Sequence, residues 1–134
     1  MASIYQSRTY DFAHDAETDS LVFRWTPATE DLSDWEFKEG LSNFAGYAFE
    51  FGVESLVVDL REFRASGITE QTANTWRAEV VVPRYNRAGV KKFAYLTLPD
   101  APGPPVGGPV RHLGEEFETA VFDAEAAMLE WLRS

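Results

Sequence analysis

Glu54-Ser55-Leu56-Val57-Val58-Asp59-Leu60 is the stretch on which the reading of the chain turns. Three apolar residues stand side by side between acids, too few for a helix and two of them β-branched. A strand with one wet face alternates apolar and polar residues. A run without alternation has to be covered on both sides, as a strand inside a parallel sheet is. Asp59 then lies near the carboxyl end of a central strand, the edge at which open α/β sheets place their ligands.

Upstream, Ser33 and Glu36 have the spacing of a capping box, and Phe37, Leu41, Phe44, Ala45 and Ala48 recur at helical intervals until Gly52. The spacing predicts a helix over Asp34 to Phe51. Gly40 and Gly46 inside it each cost about 1 kcal/mol relative to Ala, which points to close packing there. Further upstream, Thr9 to Phe12 and Ser20 to Thr26 read as an antiparallel hairpin. Leu21, Phe23 and Trp25 alternate with Val22 and Arg24, and His14 to Asp19 supplies a polar turn.

Downstream, Thr69 is placed to cap a second helix in which Ala73, Trp76, Arg77 and Val80 share a face. Val80-Val81-Val82 before Pro83 fits a strand equally well. Lys91 to Leu98 and Thr119 to Phe122 read as strands, and the crowded Pro and Gly of Pro99 to Pro109 read as a loop. Asp123 is expected to cap a last helix from Ala124 to Arg133, with Ala124, Ala127, Met128, Trp131 and Leu132 as its apolar stripe. The sum is one α/β domain over residues 1–134. Its sheet is mixed and mostly parallel, of four or five strands, with an N-terminal antiparallel hairpin and three or four packed helices.

Composition narrows the chemistry. The 134 residues are 45% hydrophobic and 14% aromatic, ample for one core. No cysteine is present, so disulfides, thiolate metal sites and cysteine nucleophiles drop out together. Twenty-two acids against twelve bases give a net charge of −10, which repels phosphate backbones and anionic lipid headgroups. No nucleic-acid partner and no membrane insertion are expected. The opening residues lack the pattern of a secretory signal, so a cytoplasmic location is expected.

Catalytic constellations are not evident. His14 and His112 are the only imidazoles. His112 and Glu115 have a His-x-x-Glu spacing without a further ligand nearby, so no metal is expected. A Ser-His-Asp site would need Ser66, Asp59 and a histidine to converge, and no nucleophile elbow supports it. The Gly103 to Gly108 stretch lacks the order of a phosphate-binding loop. No catalytic residue and no cofactor are therefore assigned. Charge gathers at Asp59, Arg61, Glu62 and Arg64, after the central strand. Trp35, Tyr47, Phe51, Phe63, Trp76 and Tyr85 exceed what one sheet covers, which suits a pocket lining or a dimer interface. The candidate ligand or partner surface is Asp59, Arg61, Arg64, Ser66, Trp76 and Tyr85.

The helix Trp35-Glu36-Phe37-Lys38-Glu39-Gly40-Leu41, the strand Leu56-Val57-Val58-Asp59-Leu60-Arg61, the segment Val82-Pro83-Arg84-Tyr85 leading to Ala88-Gly89-Val90, and the ending Val121-Phe122-Asp123 with Ala127 and Trp131-Leu132 stand in a familiar order. Together they resemble the STAS/SpoIIAA-like domain family, the fold of bacterial anti-sigma-factor antagonists. The likeness is closest to its stand-alone branch, which is similar to a small CRAL-TRIO lipid-transfer domain. The resemblance implies a helix over Glu70 to Ala88 kinked at Pro83. It also implies a serine phosphorylated at the start of that helix in regulatory members. Ala65-Ser66-Gly67 is the nearest match and lacks the family's preceding Asp and doubled Ser. The expected function is a non-enzymatic binding or regulatory module that meets a protein partner or forms a homodimer along its helical face. A carrier or sensor of a small apolar ligand, held between the sheet and the Pro83 helix, is the alternative, and a hydrolase ranks third.

Overall fold

A computed structural model describes residues 1–101 and 103–134. All five residues of the central strand β4 (Ser55–Asp59) are buried, as its unalternating apolar run requires. β3 (Ser20–Trp25) lies parallel to it on one side and β5 (Lys92–Leu96) on the other, and β7 (Glu118–Phe122) is parallel to β5. Antiparallel ladders flank this block: β2 (Tyr10–Asp15) on β3, β1 (Ala2–Gln6) on β2, and β6 (Gly107–Val110) on β7. The order is β1-β2-β3-β4-β5-β7-β6.

The α/β class and the N-terminal hairpin match expectation. The sheet is wider, with seven strands where four or five were expected, and it is antiparallel at both margins. The additions are edge strands. β1 is almost wholly exposed, so it has no buried face to write an alternation into the sequence. β6 arises inside the Pro/Gly stretch expected to be all loop, and an edge tolerates the missing N–H of Pro109. Residue 102 of that stretch lies outside the described residues. His14, expected in a turn, pairs with Leu21 within β2.

The two faces of the sheet carry separate cores. On the first, Phe12, Phe23, Leu56, Val58 and Phe93 pack beneath α1 (Asp34–Phe51) and the second helical segment. α1 starts on the expected capping box, with Ser33 Oγ accepting from the Glu36 N–H and Glu36 Oε1 from the Ser33 N–H, both at 3.1 Å. It stops at Gly52, whose φ of 63° is left-handed. Residues 70–88 are helical throughout, so the valines are not a strand. α2 (Glu70–Trp76) passes through a π turn (Arg77–Val81) into α3 (Val82–Ala88). The Val82 N–H reaches back to the Arg77 carbonyl, widening the helix just before Pro83, where an N–H is missing.

On the second face, Val22, Val57, Ala94 and Leu96 meet Met128 and Leu132 of α4 (Glu125–Arg133). Asp123 does not cap this helix. Ala124 holds the cap position and offers no side-chain bond. Ala124 and Ala127 are exposed and Trp131 is half-buried, so the covering stripe is narrower than expected. Among the described residues, no helix is long and apolar enough to cross a membrane.

The two helix glycines differ. A Cβ on Gly40 would stand 3.1 to 3.3 Å from the rings of Phe23, Trp25 and Tyr10, all of them buried, whereas one on Gly46 would meet only Arg84 Nη2 at 3.6 Å. Gly40→Ala should therefore lower stability by about 1 to 3 kcal/mol through overpacking, although it improves helix propensity. Gly46→Ala should raise stability by about 0.5 to 1 kcal/mol. Urea midpoints of the two variants check both signs, and equal shifts would refute the packing assignment.

Candidate functional site

Alternation along β3 and β4 turns Arg24 and Asp59 to the second face, paired in register at the carboxyl end of the parallel block. Asp59 is 3% exposed. Its Oδ1 accepts from the backbone N–H and Nε of Arg61, both at 3.0 Å, and its Oδ2 from Arg61 Nη2 at 2.8 Å and Arg24 Nε at 3.4 Å. Burial alone pushes the carboxyl up. The Arg61 hydrogen bonds and charge, with the Arg24 charge, outweigh that and hold it below its ordinary value. Arg61 Nη1 also lies 3.7 Å from Glu125 Oε2, at the first turn of α4.

Arg64 stands beside this group. Its N–H donates to Thr29 Oγ1 at 2.8 Å, its Nη1 reaches the Arg61 carbonyl at 3.4 Å, and its Nη2 pairs with Glu62 at 3.0 Å. Ser66 is exposed two residues on. The structure thus places Asp59, Arg61, Arg64 and Ser66 on the carboxyl edge. It separates them from Tyr85, which is 1% exposed and cannot be a surface residue. Val81, Val82 and Tyr85 recur at helical spacing and face the sheet, where the Tyr85 ring lies 5.4 Å from that of Phe93 and 6.1 Å from that of Phe117. Trp76 is half-buried against the same core.

The spaces beside these groups are small. A cavity of about 20 Å3 lies behind Asp59 and Arg61, between Val57, Leu96, Met128 and Leu129, and holds about one water. A shallow groove of about 190 Å3 crosses the half of the second face that α4 leaves open, lined by Ser3, Gln6, Asp11, Ala13, Val22 and Arg24. Pockets for drug-sized ligands run from about 300 to 1,000 Å3. The interval between the Pro83 helix and the sheet is filled by Val81, Val82 and Tyr85.

A second polar group escaped the sequence reading. Arg77, at the start of the π turn, pairs through Nη1 with Glu115 Oε2 at 2.9 Å, and its guanidinium lies 5.0 Å from the Phe93 ring centroid. Glu115 Oε1 accepts from Thr119 Oγ1 at 3.1 Å and from the His112 N–H at 3.3 Å. The carboxylate is thereby filled by protein donors, and residues 111–116 are not helical, so His112 and Glu115 do not share a helical face. Among the described residues Nη2 of Arg77 is buried without a hydrogen-bond partner, and the guanidinium carbon lies 5.0 Å and 5.9 Å from the Phe93 and Tyr95 ring centroids. Nothing in the spacing of Arg77 and Glu115 signals the pair, because they stand thirty-eight positions apart with α3, β5 and β6 between them. Arg24 was not assigned to the site from sequence either, although its alternation with Phe23 and Trp25 already puts it on the opposite face from the main core, the face that Asp59 shares.

Among the described residues, no three His, Cys, Asp or Glu side chains converge as a metal site would need. Both Asp59 oxygens are taken by arginines, and His14 instead stacks on Phe51 at 5.7 Å. No family model, no curated protein and no solved structure matches this chain.

Two outcomes follow from these charges. The folded Asp59 carboxyl titrates below its unfolded value of about 3.9, so its stabilisation is complete above that pH and is lost as the pH falls through the lower, folded value. Asp59→Asn should be clearly weaker than the parent at pH 7, with the gap in urea midpoint closing below about pH 4. A gap that stays constant would contradict the network. Glu115→Ala strands the Arg77 charge and should cost about 3 kcal/mol or more by the same measurement.

Proposed function

We propose that the chain is a non-enzymatic binding and regulatory module, STAS-like in kind, acting through protein–protein contacts at the carboxyl edge of its parallel strands. One observation carries the reading. The buried Asp59 pins Arg61 and Arg24 in fixed directions, while 32% of the Arg61 side chain and 42% of Arg24 stay exposed. Fixed guanidinium forks lose little entropy on meeting carboxylates or carbonyls, so they serve recognition well. With room for about one water behind them, these groups present a surface more than a cavity. The partner chemistry is a protein segment that offers a few carboxylate or carbonyl acceptors to the outward N–H groups of Arg24 and Arg61 and to Arg64, since a net charge of −10 disfavours a long acidic run. The alternation of strands and helices around a buried β4 supports the STAS likeness.

Homodimerisation along the helical face is a second reading, favoured by Trp35 and Phe49 on the outside of α1, at 69% and 68% exposed. A dimer sealed there leaves the carboxyl edge free for its partner.

A short peptide carrying two or three glutamates, used as probe in amide NMR at moderate salt, should shift residues 60–67 and leave α1 in place. Arg64→Glu should weaken the peptide by about tenfold, the equivalent of about 1.4 kcal/mol. That variant spares the Asp59 network, so lost binding is not lost folding. Shifts spread over the whole surface, or none, would defeat the edge assignment. Extra mass on the purified chain in native mass spectrometry would favour the apolar-ligand carrier.

A further inference from the structure

We infer that α4 is a detachable cover on the second face of the sheet, latched at its first turn to an arginine of the proposed contact edge. The helix has nine residues and no side-chain cap at Ala124. Helices of that length do not persist alone in water, so docking holds it. The docking is modest. Met128 and Leu132 are buried, Leu129 and Trp131 are half-buried against the same core, and Ala126 and Ala127 face solvent. Polar latches hold the ends: Glu125 Oε2 at 3.7 Å from Arg61, Arg133 Nη2 at 2.6 Å from Glu17, and Lys92 Nζ at 2.8 Å from the Trp131 carbonyl. Beneath it lie Val22, Val57, Ala94 and Leu96, and Val22 continues into the groove that α4 leaves open. Detachment would turn a half-covered face into one continuous apolar and polar surface.

Glu125 and a partner carboxylate compete for the same Arg61 fork, so an occupied edge loosens the first turn of α4. That consequence rests on the edge reading, whereas detachment itself does not.

Hydrogen exchange followed by mass spectrometry on the full chain without any partner tests the cover. Residues 125–133 should exchange at least 100-fold faster than β4. Glu125→Gln should speed them a further few-fold, as should salt at about 1 M, where charges are screened beyond about 3 Å. β4 should be unchanged in both. Exchange of α4 at the β4 rate would overturn the proposal, as would indifference to both salt and Glu125→Gln. The peptide titration is separate: its failure with a fast-exchanging α4 removes the edge reading and leaves the cover standing.

Discussion

The burial of β4 on both faces governs the architecture. A strand whose five residues are all inaccessible needs neighbours on both edges and a layer above and below. β3 and β5 meet the first demand. The second is met unequally. Leu56 and Val58 lie under α1 and the long π-interrupted helix, within an aromatic cluster in which the Phe12, Phe23 and Phe44 rings stand about 5 to 6 Å apart. Val57 lies under α4 alone. Apolar burial is therefore much heavier on one side of the sheet than on the other.

The strand that demands so much cover ends in a carboxylate. Asp59 keeps its charge inside the fold only because four donors from two arginines surround it, and removing either arginine would leave a buried charge short of partners. The same geometry orients the arginines toward solvent. A structural need at the end of β4 thus leaves two guanidinium groups fixed and partly exposed, the feature on which the proposed contact edge rests. Arg77 and Glu115 solve a similar problem differently. Both are turned inward, and the loop bearing Glu115 is tied down, with Asn86 donating to the Gly114 carbonyl and accepting from the Glu116 N–H. That pair fastens a loop to a helix and displays little.

How far the sequence could be read follows from which residues carry periodicity. β2, β3, β4, β5, β7 and α1 were legible because each buries a face and writes it as alternation, an apolar run or helical spacing, and α1 also carries its cap. β1 and β6 were not, because edge strands owe their place to backbone pairing with a neighbour, and Ala2–Gln6 and Gly107–Val110 show almost no burial to pattern. The valines before Pro83 fit two periods, and only the resemblance favoured the helix that the structure holds. Asp123 was a plausible cap one residue too early, because helix starts in sequence are blurred by such margins. In the site, Asp59, Arg61 and Arg64 were adjacent in sequence and so visible together. Tyr85 was misplaced because a large amphipathic ring reads alike in a core and on a surface. The Arg77–Glu115 pair is long-range and leaves no local trace.

Chain topology brings the charged edge and the start of α4 together. The carboxyl end of β4 is where the chain leaves the sheet for α2, and it is where α4 must begin if it is to lie over Val57 after returning from β7. Glu125 therefore falls beside Arg61 by topology, before any question of function arises. An acidic first turn is itself favourable at a helix start, and without a capping side chain α4 gains more from it than a capped helix would. Arg61 is thus shared between a buried carboxylate that fixes it and an exposed one that can leave. The first contact is short and buried on the carboxylate side, and losing it would leave the Asp59 charge short of donors. The second is longer and half exposed, at 3.7 Å, so it contributes little and its loss would leave the strand beneath undisturbed.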